Sequence, residues 1–594
     1  MIRLYIAFFL LLPVTLLCQV TDWQTFYESS GRKETPRYQE TVDFCRRLDE
    51  ASPKLTYTSF GKSGQGRDLP LVIADKDGLS DPASIHASGR MVVLIQACIH
   101  AGESEGKDAG LMLMRDLAVG NRYPGLLDHL SILFIPIFNT DGHERFGPYN
   151  RINQNGPEES GWRVTADNHN LNRDYLKADT PEMQAWLRLF HTWMPDFFID
   201  THTTDGADYQ YVLTYQMETL GEMDENLTAW TKDQFLPQMT GELENAGIPV
   251  FTYIEFRKWF DLSSGLITEV APPMLSQGYT SLLNRPGLLI ETHMLKPYDQ
   301  RVDATYRCLV SSLGILNRES RNLQDLIRKA DRYASSPEFR HQDFPLQFET
   351  LENDSTMVNF LGIQFERVKS DLTGQYYYRY TGEKTVLRLP FFNKTRPTVT
   401  TRLPEAYLIP PQWEEVIRKL ELHGIRVDRL KKDTVLSVLT WKLTSPEWQA
   451  NPYEGRHPLV RFNQQDTLIR QVFPAGTALV DAGQPGIRIL AQLLEPKGNG
   501  SLLYWGFFDA IFEQKEYAEQ YVMEPLAEAM VKKDPSLLDA FEQMKKKDPA
   551  FAASSSLMLN WFYNRSPYRD PEKNIYPVGR LYDRKVVDRL ITAP

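Results

Sequence analysis

Between about residue 22 and residue 318, the chain alternates short apolar runs with longer stretches of helical periodicity. The apolar runs, each of the length of a buried strand, are Met91–Ile99, Leu130–Phe138, Pro195–Thr201 and Gly287–Glu291. Helical periodicity covers Glu105–Leu117 and Thr180–His191. Apolar strands separated by helices are typical of an α/β domain. We therefore predict for residues 22–318 a central mixed, mostly parallel sheet flanked by helices.

Polar side chains stand at the ends of these predicted strands. They are His100 and Glu103 after the first, residues 139–142 (Asn-Thr-Asp-Gly) after the second, His202 after the third and Glu291 at the end of the fourth. In open α/β sheets, ligands bind beyond the carboxyl ends of the strands. The pattern therefore indicates a functional site at this rim of the sheet.

The remainder of the chain carries no comparable set of chemical groups. A charged helical stretch at about 322–344 is predicted to lead out of the first domain. Residues 345–401 are rich in Tyr, Thr, Val and Phe, which predicts a β-rich accessory module. Residues 404–594 return to a mixed pattern and predict a C-terminal α/β accessory region, in which the lysine run at 545–547 is a solvated helix face.

Histidine and glutamate are common zinc ligands, and a catalytic zinc ion takes three protein ligands and leaves a fourth position for water. His100 and Glu103 would be a close pair of ligands, and His202 the distant third, for one Zn²⁺ per chain. The spacing of the pair alone is weak evidence in a chain with 11 histidines. The helical H-E-x-x-H zinc motif is excluded, because the sequence that starts at His143 has Gly147 at its fifth position.

Two further segments supply groups for substrate binding and proton transfer. In WRVTADNHNLNRDY, Arg173 can grip a carboxylate in a bidentate fork with Asn172 as a second donor, and Arg163 can supply positive charge to an oxyanion. Glu291, at the end of an apolar strand, is suited to be a general base. The alternatives are that these arginines are surface ion-pair partners and that Glu291 is a helix cap or a surface residue. His293, nearby, is assigned to structure.

The ordered set HAGE, NLNR, DTHT and LLIET resembles the zinc carboxypeptidase family, the carboxypeptidase A-like metallopeptidases. GKSGQGRDLPL and NTDG are also similar to elements of that family, and the resemblance covers roughly residues 25–315. It implies zinc on His100, Glu103 and His202, and Glu291 as base and proton shuttle. It also implies that Asn172 and Arg173 hold the terminal carboxylate of the substrate, and that Arg163, with Arg151 as the fallback, polarises the scissile carbonyl.

Three positions depart from the family pattern. Gly102 stands where relatives often have an arginine, and Asn170 stands where they have an aspartate that supports the first zinc histidine. The substrate-capping tyrosine has no clear match; Tyr279 is the residue we predict, and Tyr253 is a second candidate. These departures leave the expected mechanism intact but put the usual terminal specificity in question.

The function implied is a secreted zinc metallocarboxypeptidase that acts on peptide or protein substrates through a zinc-activated water and a glutamate base. One alternative is a zinc amidase or peptidase acting on cell-wall peptides. An alternative of another class is a non-catalytic peptide-binding protein on a peptidase scaffold. This alternative is disfavoured because every position essential for catalysis carries a residue type that can perform the chemistry.

The composition and the N-terminal sequence restrict the partners and the cellular location that we expect. The formal net charge of −11 argues against a nucleic-acid partner. The apolar run that follows Arg3 predicts a signal peptide over residues 1–18, too short and Pro-interrupted for a stable membrane span, and hence export. A lipoprotein anchor on Cys18, disfavoured by the bulky Leu17, and an uncleaved membrane anchor are the alternatives. With 4 cysteines in the chain, at most one disulfide bridge remains after cleavage, and no C-x-x-C pair offers a thiolate zinc site.

Overall fold

The computed structural model of the protein describes residues 23–258 and 261–592; the predicted signal peptide and Cys18 lie outside them. In the first part of the chain the strands are β1 Leu55–Lys62, β2 Asp68–Ala74, β3 Met91–Gln96, β4 Leu130–Ile135, β5 Phe197–Thr204, β6 Leu213–Gln216, β7 Val250–Thr252, β8 Glu255–Lys258, β9 Asp261–Ile267 and β10 Gly287–His293. The later strands are β11 Asp343–Thr350, β12 Thr356–Lys369, β13 Tyr376–Phe392, β14 Thr395–Arg402, β15 Ala406–Ile409, β16 Asp428–Arg429, β17 Thr434–Trp448, β18 Leu459–Phe473, β19 Ala478–Asp481 and β20 Gly579–Leu581.

Helices pack around these strands. In the first part they are α1 Phe26–Ser29, α2 Tyr38–Ala51, α3 Pro82–Ser88, α4 Glu105–Ala118, α5 Thr140–Glu144, α6 Pro181–Trp193, α7 Glu225–Trp230, α8 Leu236–Asn245, α9 Ser276–Leu282, α10 Tyr298–Ala334 and α11 Pro337–Arg340. In the second part they are α12 Glu414–Leu422, α13 Ile487–Leu494, α14 Gln520–Lys533, α15 Ser536–Lys547, α16 Pro549–Ala552, α17 Ser555–Tyr563 and α18 Arg584–Thr592. Within these described residues, no helix is long and apolar enough to cross a membrane.

The central sheet has the strand order β1-β2-β4-β3-β5-β10-β6-β7. Strands β3, β4, β5 and β10 run parallel to their neighbours in this group, whereas β1, β2 and β6 introduce antiparallel pairs. The predicted mixed α/β fold is therefore confirmed. Because β3, β5 and β10 are parallel neighbours, their carboxyl ends meet at one rim of the sheet.

Burial on both faces explains why the strands read as continuous apolar runs. Along β3, Val92 and Leu94 belong to one buried cluster, and Val93 and Ile95 belong to another on the opposite face. The first cluster continues into the C-terminal region and includes Leu420 of α12. The central sheet and the C-terminal region thus share one hydrophobic core.

The β-rich segment is joined to the first part of the chain rather than set apart from it. Strand β13 pairs in parallel with β9, which lies inside the predicted catalytic segment, and the four-stranded sheet has the order β12-β13-β9-β8. A six-stranded sheet, β16-β19-β15-β20-β17-β18, organises the C-terminal region. The domain bounds given above stay a prediction.

Helix α4 follows the predicted zinc-binding turn and lies unusually close to the sheet. A Cβ atom on Gly106 would overlap the Thr201 hydroxyl on β5, so glycine is needed for this approach. We expect Gly106→Ala to lower the free energy of unfolding by about 1–3 kcal/mol, as overpacked core substitutions do.

The matched control for this substitution is Gly241→Ala in α8, where a Cβ would meet nothing within 4 Å. Alanine is the better helix former, so this variant should gain about 0.5–1 kcal/mol. Calorimetric unfolding of both variants measures the difference. Equal midpoints would contradict the close packing of α4 on the sheet.

Candidate zinc and catalytic site

The turn after β3 brings His100 and Glu103 to the same side of the chain. The Glu103 amide donates to the His100 carbonyl at 2.9 Å, which closes a tight turn between them. The preceding Cys98 has a φ of 57°, a left-handed conformation that helps to reverse the backbone. Both predicted ligands are buried, with exposures of 4% and 2%.

His202 arrives beside this turn because of the register of the parallel strands. It lies on β5, where it is the register partner of Glu291 on β10. The Thr203 amide donates to Glu103 Oε2 at 3.0 Å and fixes the glutamate against the end of β5. The structure therefore brings the residues from β3, β5 and β10 to one place, as the sequence predicts for the rim.

The three predicted ligands present their donor atoms to one another. His100 Nδ1 lies 3.1 Å from Glu103 Oε1, and His202 Nδ1 lies 3.1 Å from Glu103 Oε2. One ligand atom from each of the three residues falls within 4.8 Å of the others. On the far side of each ring, His100 Nε2 meets Asn170 Oδ1 at 3.1 Å and His202 Nε2 meets Asp200 Oδ2 at 2.9 Å.

This donor set fits a zinc ion. An oxygen acceptor at each Nε2 holds the proton there and leaves the Nδ1 lone pair free to ligate a metal. Burial lowers the pKa of His100 to about 4, so its ring is neutral at pH 7, the form that binds metal. Two imidazoles and a carboxylate are a zinc ligand set with an open fourth position.

Asp200 is a candidate site residue that the sequence analysis missed. It accepts from His202 Nε2, and its other carboxylate oxygen accepts from Gln96 Nε2 at 3.0 Å. The signal was present: residues two apart on a strand share a face, so an aspartate two positions before a ligand histidine lies beside it.

Glu291 is held in a buried and incompletely satisfied environment. Its Oε2 atom is buried and has no hydrogen-bond partner among the described residues. Burial raises the pKa of Glu291 to about 8. The neighbouring His202 opposes this rise, the carboxylates of Glu103 and Asp200 add to it, and Arg163 opposes it more weakly. An unpartnered buried carboxylate beside a metal-ligand cluster is suited to exchange a proton with a reactant.

The glycine at position 102 is explained by Arg151. A Cβ on Gly102 would lie 2.8 Å from Arg151 Cγ and 2.9 Å from Cδ, so the arginine side chain crosses the space above the turn. Arg151 Nη2 then donates to Glu103 Oε1 at 3.0 Å. A cation from a later part of the chain therefore contacts Glu103, although the motif itself has glycine at position 102.

A cavity of about 350 Å³ opens in front of these groups. The predicted site residues that line it are His100, Glu103, Arg163, Asn172, Arg173, His202 and Glu291. Arg163 Nη1 lies 3.4 Å from Glu103 Oε1, farther than Arg151, and Arg151 also lines the cavity. Arg163 and Arg151, the two arginines predicted as candidates for stabilising the oxyanion, thus both line the same cavity.

Tyr279 is a correction to the expected substrate-binding set. It lies in α9, is fully buried, and its hydroxyl bonds to His191 Nε2 at 3.0 Å and His423 Nδ1 at 2.9 Å. His423 is buried and His191 is partly buried, and Tyr279 itself is not among the residues that line the cavity. Tyr253, the second candidate, does line the cavity.

The Asn-Thr-Asp-Gly segment after β4 serves the site indirectly. Asn139 Nδ2 donates to the Arg163 carbonyl at 3.2 Å, and the Gly142 carbonyl accepts from the Trp162 amide at 2.7 Å. Asp141 instead bonds Ser63 Oγ at 2.8 Å, in the early glycine-rich element. The segment lies outside the cavity lining and anchors the chain that carries Arg163.

Comparison with known proteins places this geometry in a family context. Residues 41–233 match the family described as zinc carboxypeptidase, which confirms the resemblance found in the motifs. The chain is 26% identical over 494 residues to carboxypeptidase 2 of Trichophyton equinum, an alignment that covers 79% of this chain and 84% of that protein. With carboxypeptidase 2 of Trichophyton rubrum, the identity is 25% over 494 residues, with the same coverage.

Solved structures give lower similarity. A metallo-carboxypeptidase from Burkholderia cenocepacia aligns with a TM-score of 0.35 at 16% identity, covering 48% of this chain and 69% of that one. Carboxypeptidase A from Helicoverpa armigera aligns with a TM-score of 0.36 at 14% identity, covering 48% and 74%.

Proposed function

We propose that this chain, a zinc-dependent metallocarboxypeptidase whose family match spans residues 41–233, is exported and removes single C-terminal residues from peptides. Glu291 is the proposed general base. The observation that carries the proposal is the buried Oε2 atom of Glu291, which has no hydrogen-bond partner among the described residues and lies beside the cluster of His100, Glu103 and His202. The proposed export rests on the N-terminal sequence alone.

The metal would be held by His100 Nδ1, the Glu103 carboxylate and His202 Nδ1. When bound, one zinc ion would supply the Lewis acidity that lowers the pKa of a water molecule and polarises the scissile carbonyl. Asn170 and Asp200 would keep the two imidazole rings in the correct orientation and tautomer.

Glu291 would move the proton. Burial raises the pKa of this carboxylate to about 8, and a divalent cation held nearby would oppose that rise and favour the ionised form. Its Oε2 would take a proton from the attacking water and deliver it to the nitrogen of the leaving amine. Burial keeps this oxygen free of competing solvent.

Arginines would orient the substrate at both ends of the reacting bond. Arg173, beside Asn172, would bind the terminal carboxylate and so restrict cleavage to the last peptide bond. Arg163 or Arg151 would stabilise the negative charge that develops on the carbonyl oxygen. Tyr253, which lines the cavity, would cover the bound residue.

Arg173→Ala tests the exopeptidase assignment. We expect kcat/KM for N-acylated peptides with a free C-terminus to fall by about 10²–10³-fold, because a charge-assisted carboxylate clamp is lost. Mass spectrometry of the products from a panel of plain and wall-derived peptides measures the rate, the position of cleavage and the preferred substrate class.

Arg188→Ala is the matched control, because Arg188 is an exposed residue of α6 outside the cavity. It should leave kcat/KM unchanged. Internal cleavage of peptides by the wild type, or full activity of Arg173→Ala, would refute the proposed assignment.

A further inference from the structure

A tight turn in the C-terminal region reaches the loop that carries Asn170 and Arg173. The Tyr453 hydroxyl accepts a hydrogen bond from Arg173 Nε at 3.2 Å. The Glu454 carboxylate accepts a hydrogen bond from the backbone N–H of Asn170 at 3.0 Å. Two adjacent residues, about 280 positions away in sequence, thus bond to the two parts of the site that orient a ligand histidine and bind a carboxylate.

The conformation of this turn is one that a glutamate rarely adopts. Tyr453 and Arg456 exchange backbone hydrogen bonds at 2.8 and 3.1 Å, with Glu454 and Gly455 at the two central positions. The φ angles are 49° for Glu454 and 76° for Gly455. Turns with two left-handed central residues favour Asn, Asp or Gly. A residue with a long side chain at the first position is strained, and here its carboxylate is the group that meets Asn170.

The rest of the turn is fitted to the same loop. A Cβ on Gly455 would lie 2.8 Å from His169 Nε2, so glycine is needed for the close approach. Arg456 pairs with Asp179 through bonds of 2.7 and 2.9 Å. Burial raises the pKa of Asp179, but Arg456 and the nearby lysines outweigh it and hold the value at about 2. The Tyr453 ring stacks on Trp505 at 5.9 Å and an interplanar angle of 12°.

Helix α12 bonds the continuation of the loop. Lys419 Nζ donates to the carbonyls of Lys177 and Ala178 at 2.6 and 2.8 Å. His423 Nε2 lies 2.9 Å from the Leu176 carbonyl. Residues 170–179, the last part of the loop before α6, are therefore bonded to the C-terminal region at several points.

Asn170 transmits this contact to the predicted metal site. Its side-chain Oδ1 lies 3.1 Å from His100 Nε2 and also accepts a hydrogen bond from the backbone N–H of Asn172 at 3.0 Å. Glu454 thus lies one residue from the His100 ring, as Tyr453 lies one hydrogen bond from the Arg173 guanidinium.

We propose that Tyr453 and Glu454 are positioning residues for the peptidase reaction, and that the C-terminal region completes the subsite for the substrate carboxylate. Tyr453 fixes the guanidinium of Arg173, and Glu454 fixes the backbone that carries it. This inference rests on the proposed role of Arg173. It assigns the C-terminal region a part in catalysis rather than a separate recognition task.

Tyr453→Phe removes the hydroxyl and keeps the ring stacked on Trp505. We expect KM for the best N-acyl dipeptide, and the inhibition constant of its free amino-acid product, to rise about three- to tenfold, the effect of one lost hydrogen bond. The turnover number and the melting temperature should stay at wild-type values. Tyr504→Phe is the matched control, because Tyr504 contacts the same Trp505 from another side and should change none of these quantities.

Substitutions of Glu454 separate positioning from stability. Glu454→Gly relieves the left-handed strain, so the melting temperature should stay equal or rise, yet KM should increase about three- to tenfold. Glu454→Gln keeps an acceptor oxygen for the Asn170 amide and should restore KM to near the wild-type value. A residue with a purely structural role would not raise KM while the melting temperature is kept.

Wild-type KM in both Tyr453→Phe and Glu454→Gly, in an enzyme whose Arg173→Ala variant is impaired, would overturn the inference. A wild type that does not cleave C-terminal residues, or an Arg173→Ala variant with unchanged kinetics, would instead overturn the premise that Arg173 binds the carboxylate. The two failures are therefore distinguishable in one set of assays.

Discussion

Replacement of Glu291 by glutamine should lower kcat by about 10²–10⁴-fold, the usual contribution of a general base. Glutamine matches the glutamate in volume, so this position on β10 should keep its packing. It cannot accept a proton at the atom that Glu291 leaves unpartnered. Steady-state kinetics on an N-acyl dipeptide measure the loss.

The zinc content of Glu291→Gln should equal that of the wild type, because Glu291 is not one of the three grouped ligands. The control is Glu269→Gln, which changes an exposed carboxylate outside the cavity lining and should keep full activity. Near-complete turnover by Glu291→Gln would show that another group takes the proton.

His202→Ala should abolish both zinc binding and hydrolysis. It removes one of three ligands, and it leaves Asp200 as a buried carboxylate without the ring that it orients. Elemental analysis after dialysis and a peptide assay measure the two losses together. His129→Ala, at an exposed histidine, should retain zinc and activity.

A smaller effect is expected when Asp200 itself is changed. Asp200→Asn keeps the shape of the side chain but weakens the acceptor at His202 Nε2, and partners of this kind contribute about 10–100-fold to metal affinity or activity.

Retention of zinc by His202→Ala at the wild-type level would contradict the ligand assignment.

The strand ends could be predicted because the chemistry there is local. The apolar strand β3 and the pair His100 and Glu103 that follows it lie in one short segment of sequence. The carboxyl ends of neighbouring parallel strands lie at the same edge of a sheet. Sequence bounds were close: β3, predicted over Met91–Ile99, ends at Gln96, because the following residues form the ligand turn.

Features that depend on distant packing could not be read in this way. No local signal shows that the side chain of Arg151 crosses above Gly102 or that Tyr279 is held between His191 and His423. The contact between Tyr453 and Arg173 joins residues in separate parts of the chain. The pairing of β13 with β9 also links segments that composition alone divides.

The most direct test of the central claim is zinc-edge anomalous diffraction from crystals of the purified protein. The account predicts one anomalous peak per chain, about 2.0–2.2 Å from His100 Nδ1, a Glu103 oxygen and His202 Nδ1. A crystal with bound zinc but no peak between these three residues, or a peak ligated by other side chains, would contradict it.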